Sequence, residues 1–218
     1  MRNPHPIVDL ILDRRLVAIL RLRCLDHAIA LIEALLAGGV HAIELTLTNP
    51  DAPSVVKRAR RAISAFDQNV AAIGIGSVRN LEEAKLAIDA GAQFLVSPIT
   101  TEPIIREAKQ SGVVSIPGAF TPTEIAHSWA LGADIIKVFP ARGLGPRYIQ
   151  DVLAPMPFLP LMPTGGIELG DLQSYFAAGA AAVGVGGNFL NERWIAEQHW
   201  DQVTQAAFEY SQAAARHA

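Results

Sequence analysis

Cysteine occurs once in this 218-residue chain, at Cys24, which excludes an internal disulfide and fits a reducing, cytoplasmic setting. Aromatic residues are few, and no basic run is interleaved with them; with a net charge of −3, nothing points to a nucleic-acid partner. The basic cluster Lys57, Arg58, Arg60 and Arg61 reads as one solvated face of a helix. Long apolar runs are also missing. The longest, residues 177–185, is short and built of small side chains, so no membrane span is expected. Asp9 and Asp13 interrupt the apolar start of the chain, against a signal peptide. The histidines are scattered, with none at the C-terminal end of a predicted strand, so no metal is expected. Ser77 and Ser97 lack a histidine base, and Gly74-Ile75-Gly76 lacks the third glycine of a nucleotide fingerprint.

What is present is alternation. Half of the residues are hydrophobic, and strand and helix signals follow one another eight times without a linker. The strands are read at residues 16–21, 41–48, 70–78, 94–98, 113–120, 135–140, 160–167 and 182–187. Asp26 is placed to cap the first intervening helix, Asn80 with Glu83 opens another, and Thr121-Pro122-Thr123-Glu124 is a strong helix start. Pro117-Gly118 marks a bulge or kink in the fifth strand. A long helix from about residue 192 closes the chain. Eight such units in this length predict one α/β domain over residues 1–218, a (β/α)8 TIM barrel, in preference to an open doubly wound sheet.

Lysine is scarce too. Of the four, Lys57, Lys85 and Lys109 fall in amphipathic helical stretches, and Lys137 alone lies in a strand, within Ile-Ile-Lys-Val-Phe-Pro. An ammonium removed from water needs a counter-charge or loses its proton, and a lysine of lowered pKa is a nucleophile toward ketones. Buried structural ion pairs perturb lysines in the same way, so this residue alone does not decide between the two readings. Alternation in the second strand puts Ala42, Glu44, Thr46 and Thr48 on one face, and Ile43, Leu45 and Leu47 on the other. In a barrel the polar set faces inward, so Glu44 and Lys137 share the interior, with Arg21 at the end of the first strand over the mouth. The trio reads either as an ion-pair network or as a Schiff-base lysine, a proton-transfer carboxylate and an anion-holding arginine.

Glycines cluster after the last two strands, in Thr164-Gly165-Gly166-Ile167 and Gly184-Val185-Gly186-Gly187-Asn188. Glycine lets backbone N–H groups approach an anion closely, and barrels often bind phosphate with these two loops. Phosphate at one side of the mouth and lysine at another suggest a phosphorylated keto compound as substrate.

The stretches AGGVHAIELTL, IGIGSV, GAQFLVSP, IPGAFTPTE, IIKVFP, PTGGI and VGVGGNFL resemble the 2-keto-3-deoxy-6-phosphogluconate / 4-hydroxy-2-oxoglutarate aldolases, including the 2-keto-3-deoxy-6-phosphogalactonate branch, over nearly the whole chain. The resemblance implies a class I aldolase on a (β/α)8 barrel, a homotrimer, and no metal or other cofactor. It implies Lys137 as the Schiff-base lysine, Glu44 as the proton-transfer residue, and Gly165, Gly166 and the loop around Gly186, Gly187 and Asn188 as the phosphate site. Thr48 stands where the phosphogluconate branch has an arginine that holds the pyruvyl carboxylate. Arg21 matches an arginine of the phosphogalactonate branch and serves instead, with the Ser77 hydroxyl beside it. Residues 145–150 resemble the phosphogalactonate branch and Thr164 the other. The expected reaction is cleavage of a 2-keto-3-deoxy-6-phospho sugar acid to pyruvate and glyceraldehyde 3-phosphate, with 4-hydroxy-2-oxoglutarate cleaved to pyruvate and glyoxylate as a further activity. The alternatives are a sugar-phosphate isomerase or epimerase using Glu44 as base, and a barrel that only binds phosphorylated metabolites.

Overall fold

The computed structural model describes residues 5–187 and 189–215. Short runs rich in Ile, Val, Leu and Ala form strands, and the amphipathic stretches between them form helices. In chain order the elements are α1 (Pro6–Arg14), β1 (Leu16–Leu20), α2 (Ala28–Ala37), β2 (Ala42–Thr46), α3 (Ala52–Ala62), β3 (Ala72–Gly76), α4 (Leu81–Asp89), β4 (Phe94–Val96), α5 (Glu102–Gln110), β5 (Val114–Ile116), β6 (Gly118–Ala119), α6 (Pro122–Leu131), β7 (Ile136–Val138), α7 (Gly145–Leu153), β8 (Leu161–Pro163), α8 (Leu172–Ala177), β9 (Val183–Val185), α9 (Glu192–Ala196) and α10 (Trp200–Ala215). Every strand pairing is parallel.

The strands make a curled six-stranded sheet, β5-β4-β3-β2-β1-β9, and a three-stranded sheet, β6-β7-β8. Hydrogen bonds run between the two. Thr164 bridges Gly184 in parallel register, while the N–H of Asp134 and that of Lys137 donate to Ser115 O and Pro117 O at 3.0 and 2.9 Å. The predicted fifth strand is β5 and β6 together. Pro117 has no N–H to give to the ladder and divides it, as the sequence led us to expect.

Alternation along the strands builds two apolar regions. Ile43, Leu45, Ile73, Ile75, Ile136 and Val138 pack outward under the helices. Val17, Ala42, Ala72, Phe94, Ile135 and Met162 pack inward against one another. Helix α1, which the sequence reading did not anticipate, sets Ile7 and Ile11 into this inner cluster next to the first residues of β1, β2 and β3. It closes the end of the sheet opposite the one where the strands finish.

Local signals were followed unevenly. The box at Thr121 and Glu124 forms in full, and the Asn80 side chain accepts from the Glu83 N–H. Asp26 is not the cap predicted for α2. A backbone bond from Ala28 N–H to Leu25 O turns the chain there, and His27 sits at the cap position without a side-chain bond. The long closing helix is two helices, α9 and α10, parted by Gln198 in the left-handed region at φ 56°. Among the described residues no helix is long and apolar enough to cross a membrane.

Ile11 is fully buried, and the inner cluster it touches is closely packed. Ile11→Ala is expected to lower unfolding free energy by about 2–5 kcal/mol, read from the urea midpoint. A change under about 0.5 kcal/mol would show that α1 does not seal the inner cluster.

Candidate active site

Lys137 is the middle residue of β7, in register with Gly118 on one side and Met162 on the other. Its neighbours Ile136 and Val138 face the helices, so the lysine faces inward with only 5% of its surface exposed. Its ammonium lies 4.7 Å from the centre of the Phe139 ring, two residues along on the same face. Burial pulls its pKa below the ordinary 10.5; the nearby Glu44 carboxylate opposes that, and the Arg21 guanidinium adds to it.

Glu44 sits at the centre of β2, paired across to Ile19 and Gly74, and is 1% exposed. Its carboxylate reaches forward to the level of Gly76, the last residue of β3. A Cβ on residue 76 would fall 1.6 Å from Glu44 Oε1, so only glycine leaves room for it there. Among the described residues, the buried Oε2 atom has no hydrogen-bond partner. Burial raises the pKa of Glu44 above the ordinary 4.5, against the pull of Lys137 and then Arg21. The two groups feel each other's field without a direct ion pair. Lys137 is thereby shifted toward the free amine that attacks a carbonyl, and the raised pKa of Glu44 makes its carboxylate a stronger base.

Above the pair opens a cavity of about 270 Å3, lined by Ile19, Arg21, Lys137, Phe139, Arg142, Thr164, Gly165, Gly166, Ile167, Gly186 and Gly187. No carboxylate is among the lining residues, so the field in the cavity is positive. Arg21, just beyond β1, is exposed at the mouth. Thr48 forms no part of the lining; its hydroxyl is 2.7 Å from that of Thr46, which in turn donates to Leu20 O. Thr164 is 3% exposed and donates to Met162 O at 3.3 Å. Gly165 and Gly166 take φ of +102° and +74°, a region that favours glycine. Among the described residues, neither N–H has an acceptor.

The structure thus brings Lys137, Arg21, Thr164, Gly165, Gly166, Gly186 and Gly187 to one cavity; Glu44 is not among its lining residues but is close enough for its charge to act on Lys137. Ser77 is half-buried at φ 62° and is not among the lining residues. Asn188 lies outside the described residues. Gly184 does not serve an anion either. A Cβ on it would meet Thr164 Oγ1 at 2.4 Å, so its role is to admit that threonine. Sequence reasoning missed Arg142, an exposed cation in a short 3-10 turn, and the part played by Gly76. The inward register of Gly76 was legible from the alternation of β3, but its partner across the sheet was not. Among the described residues no group of three His, Cys, Asp or Glu side chains is arranged to hold a metal ion.

A family model described as "KDPG and KHG aldolase" matches residues 7–206. The 2-dehydro-3-deoxy-phosphogluconate aldolase of Dickeya dadantii (strain 3937) is 32% identical over 195 residues, covering 88% of this chain and 89% of that protein. The 2-dehydro-3-deoxy-6-phosphogalactonate aldolase of Escherichia coli (strain K12) is 29% identical over 199 residues, covering 91% and 95%. Among solved structures, the KDPG aldolase from Legionella pneumophila, with pyruvate captured as a covalent carbinolamine intermediate, superposes with a TM-score of 0.83 at 26% identity, covering 95% of this chain and 98% of that one.

Gly76→Ala is expected to lower stability by about 1–3 kcal/mol through overpacking against Glu44, and to cost much less in a Glu44→Ala background. Denaturant titration of the four proteins in the cycle checks this; an equal cost in both backgrounds would contradict it.

Proposed function

We propose, on the premise that the chain belongs to the KDPG and KHG aldolase family, that the Lys137 cavity is its active site and that Lys137 carries the covalent chemistry. The protein is a Schiff-base aldolase, a carbon–carbon lyase that releases pyruvate and glyceraldehyde 3-phosphate from a 2-keto-3-deoxy-6-phospho sugar acid. Family membership decides for cleavage over the isomerase and binding-only alternatives. The observation that carries the site assignment is the buried Lys137–Glu44 pair: the lysine lines a cavity that also holds Arg21 and Arg142, and among the described residues one oxygen of the Glu44 carboxylate has no hydrogen-bond partner.

Lys137 Nζ, as the free amine, adds to the C2 ketone to give a carbinolamine, and loss of water gives an iminium. Glu44, directly or through a water molecule, removes the proton of the C4 hydroxyl. The C3–C4 bond then breaks; its electron pair forms the C2–C3 double bond of an enamine, and the C=N pair moves onto nitrogen and cancels the iminium charge. Glyceraldehyde 3-phosphate departs, the enamine is protonated at C3, and hydrolysis frees pyruvate and the lysine. Arg21 holds the substrate carboxylate in place of the arginine absent at Thr48. Gly165, Gly166, Gly186 and Gly187 receive the phosphate. We assign Ser77 and Asn188 supporting roles beside the carboxylate and the phosphate, respectively. Cleavage of 4-hydroxy-2-oxoglutarate to pyruvate and glyoxylate needs the same lysine and carboxylate and no phosphate site.

The hydrogen bonds that join β9 to β8 and β5–β6 to β7 support reading the two sheets as one closed (β/α)8 barrel, a single domain over residues 1–218. A homotrimer is our reading of the assembly. Phe158 lies 59% exposed with Trp129 tilted against it at 5.9 Å, and this apolar surface supports a partner copy there. A cytoplasmic setting fits the lone exposed thiol of Cys24.

Lys137→Met is expected to cut pyruvate release at least about 1000-fold while circular dichroism stays unchanged; a folded, active variant would sink the assignment. The pH dependence supplies a second check. Attack needs the neutral amine, so the rate of imine formation rises as pH passes the pKa of Lys137 and levels off above it. The inflection is expected below 10.5, since burial lowers that pKa. Glu44→Gln removes the charge that supports the ammonium, so the inflection should move to lower pH. An inflection that stays put or moves up would contradict the coupling.

A further inference from the structure

Arg142 has no part in the chemistry above, yet it lines the same cavity. It stands in the 3-10 turn Ala141–Gly143 that directly follows the lysine strand and Pro140. The base of that turn is fixed to the glycine loop: Ala141 N–H donates to Thr164 O at 2.9 Å, Ala141 is buried, and Leu144 N–H closes back onto Ala141 O. The Tyr175 hydroxyl adds a bond to Ala141 O at 3.4 Å. From this anchor the arginine folds over Gly166. A Cβ on residue 166 would meet Arg142 Nε at 2.2 Å and Cζ at 2.9 Å, so the guanidinium lies close against Gly166. Gly166 is therefore doubly required, for its φ of +74° and for the arginine above it. Among the described residues Arg142 makes no ion pair.

We propose that Arg142 is a specificity-determining residue that clamps the terminal phosphate of the substrate against the Gly165–Gly166 loop and so sets the preference for phosphorylated over unphosphorylated 2-keto acids. This deepens the aldolase reading and rests on it. The cavity carries cations at separate places. Lys137 is engaged at the ketone and Arg21 stands at the mouth beyond β1. Arg142, after β7, is the cation on the glycine-loop side. A planar guanidinium offers two parallel N–H groups to a phosphate, while the adjoining Gly165 and Gly166 N–H groups, without acceptors among the described residues, supply further donors. Because the side chain is exposed before substrate arrives, the free enzyme carries no large desolvation cost for it. Because its backbone is tied to the loop, only the side chain is left to order at the moment of binding. An unphosphorylated substrate such as 4-hydroxy-2-oxoglutarate presents nothing to this arginine.

The test compares wild type, Arg142→Ala and Arg142→Lys on a 2-keto-3-deoxy-6-phospho sugar acid and on 4-hydroxy-2-oxoglutarate. A lost charged hydrogen-bond partner is expected to lower the ratio of the two kcat/KM values about 10- to 100-fold in Arg142→Ala, mainly through KM of the phosphorylated substrate. Arg142→Lys should recover part of the ratio. Calorimetry with glycerol 3-phosphate, which asks nothing of Lys137, should show binding weakened by a similar factor. An unchanged ratio with unchanged glycerol 3-phosphate binding would overturn the clamp, as would an equal loss on both substrates, which would mark Arg142 as a prop for the loop. A wild type that binds glycerol 3-phosphate through Arg142 but cleaves neither substrate would overturn the specificity claim together with the aldolase reading, a pattern distinct from either of these.

Discussion

Holding the Lys137 ammonium and the Glu44 carboxylate out of water costs several kcal/mol of lost hydration for each, and neither is repaid by a direct ion pair. The strands around them accommodate that cost. Ile136 and Val138 lock β7 with the lysine inward, and Gly76 clears the space into which the carboxylate extends. The inner apolar cluster below, closed by Ile7 and Ile11 of α1, keeps water from that side. Burial thereby lowers the pKa of Lys137 and raises that of Glu44, which costs stability and readies a free amine and a stronger base for imine chemistry. A stability-driven sequence would place well-packed apolar residues at both positions; retaining the charges makes sense as function.

The rest of the cavity separates the two ends of a substrate. Arg21 at the mouth suits a carboxylate; Gly165, Gly166 and Arg142 suit a phosphate; and Lys137 lies between them in a lining that holds no acid. Lys137 and Arg142 stand on segments fixed by backbone hydrogen bonds, and the Asn49 side chain donates to Leu22 O and Arg23 O just past Arg21. Anchoring of this kind lets reacting atoms be positioned without ordering the site anew at each turnover.

Much of this was legible in the sequence because alternation is a strict rule within a strand. It placed Glu44, Lys137 and the Val17–Ile19–Arg21 face correctly, and all eight predicted strands exist, each shorter than its apolar run. What failed was local and conditional. Asp26 carries a capping side chain, but a backbone bond from Ala28 to Leu25 turns the chain before the aspartate can act. The closing helix breaks at Gln198, which no glycine or proline announces. Helix α1 precedes the first strand and so lies outside the strand–helix alternation, and its value lies in the cluster it plugs. Arg142 follows a strand in an irregular turn, where no spacing rule says which way a side chain leans. Glycines carried the least specific signal: Gly165 and Gly166 sit where an anion site was expected, while Gly76 and Gly184 exist to admit Glu44 and Thr164.

The central claim is that one buried lysine forms a covalent bond with a 2-keto acid. The direct measurement is intact mass after mixing the protein with saturating pyruvate and sodium borohydride, followed by peptide mapping. A single stable adduct on Lys137 is the predicted result. A folded protein with no adduct, or with the adduct on Lys57, Lys85 or Lys109, would contradict it.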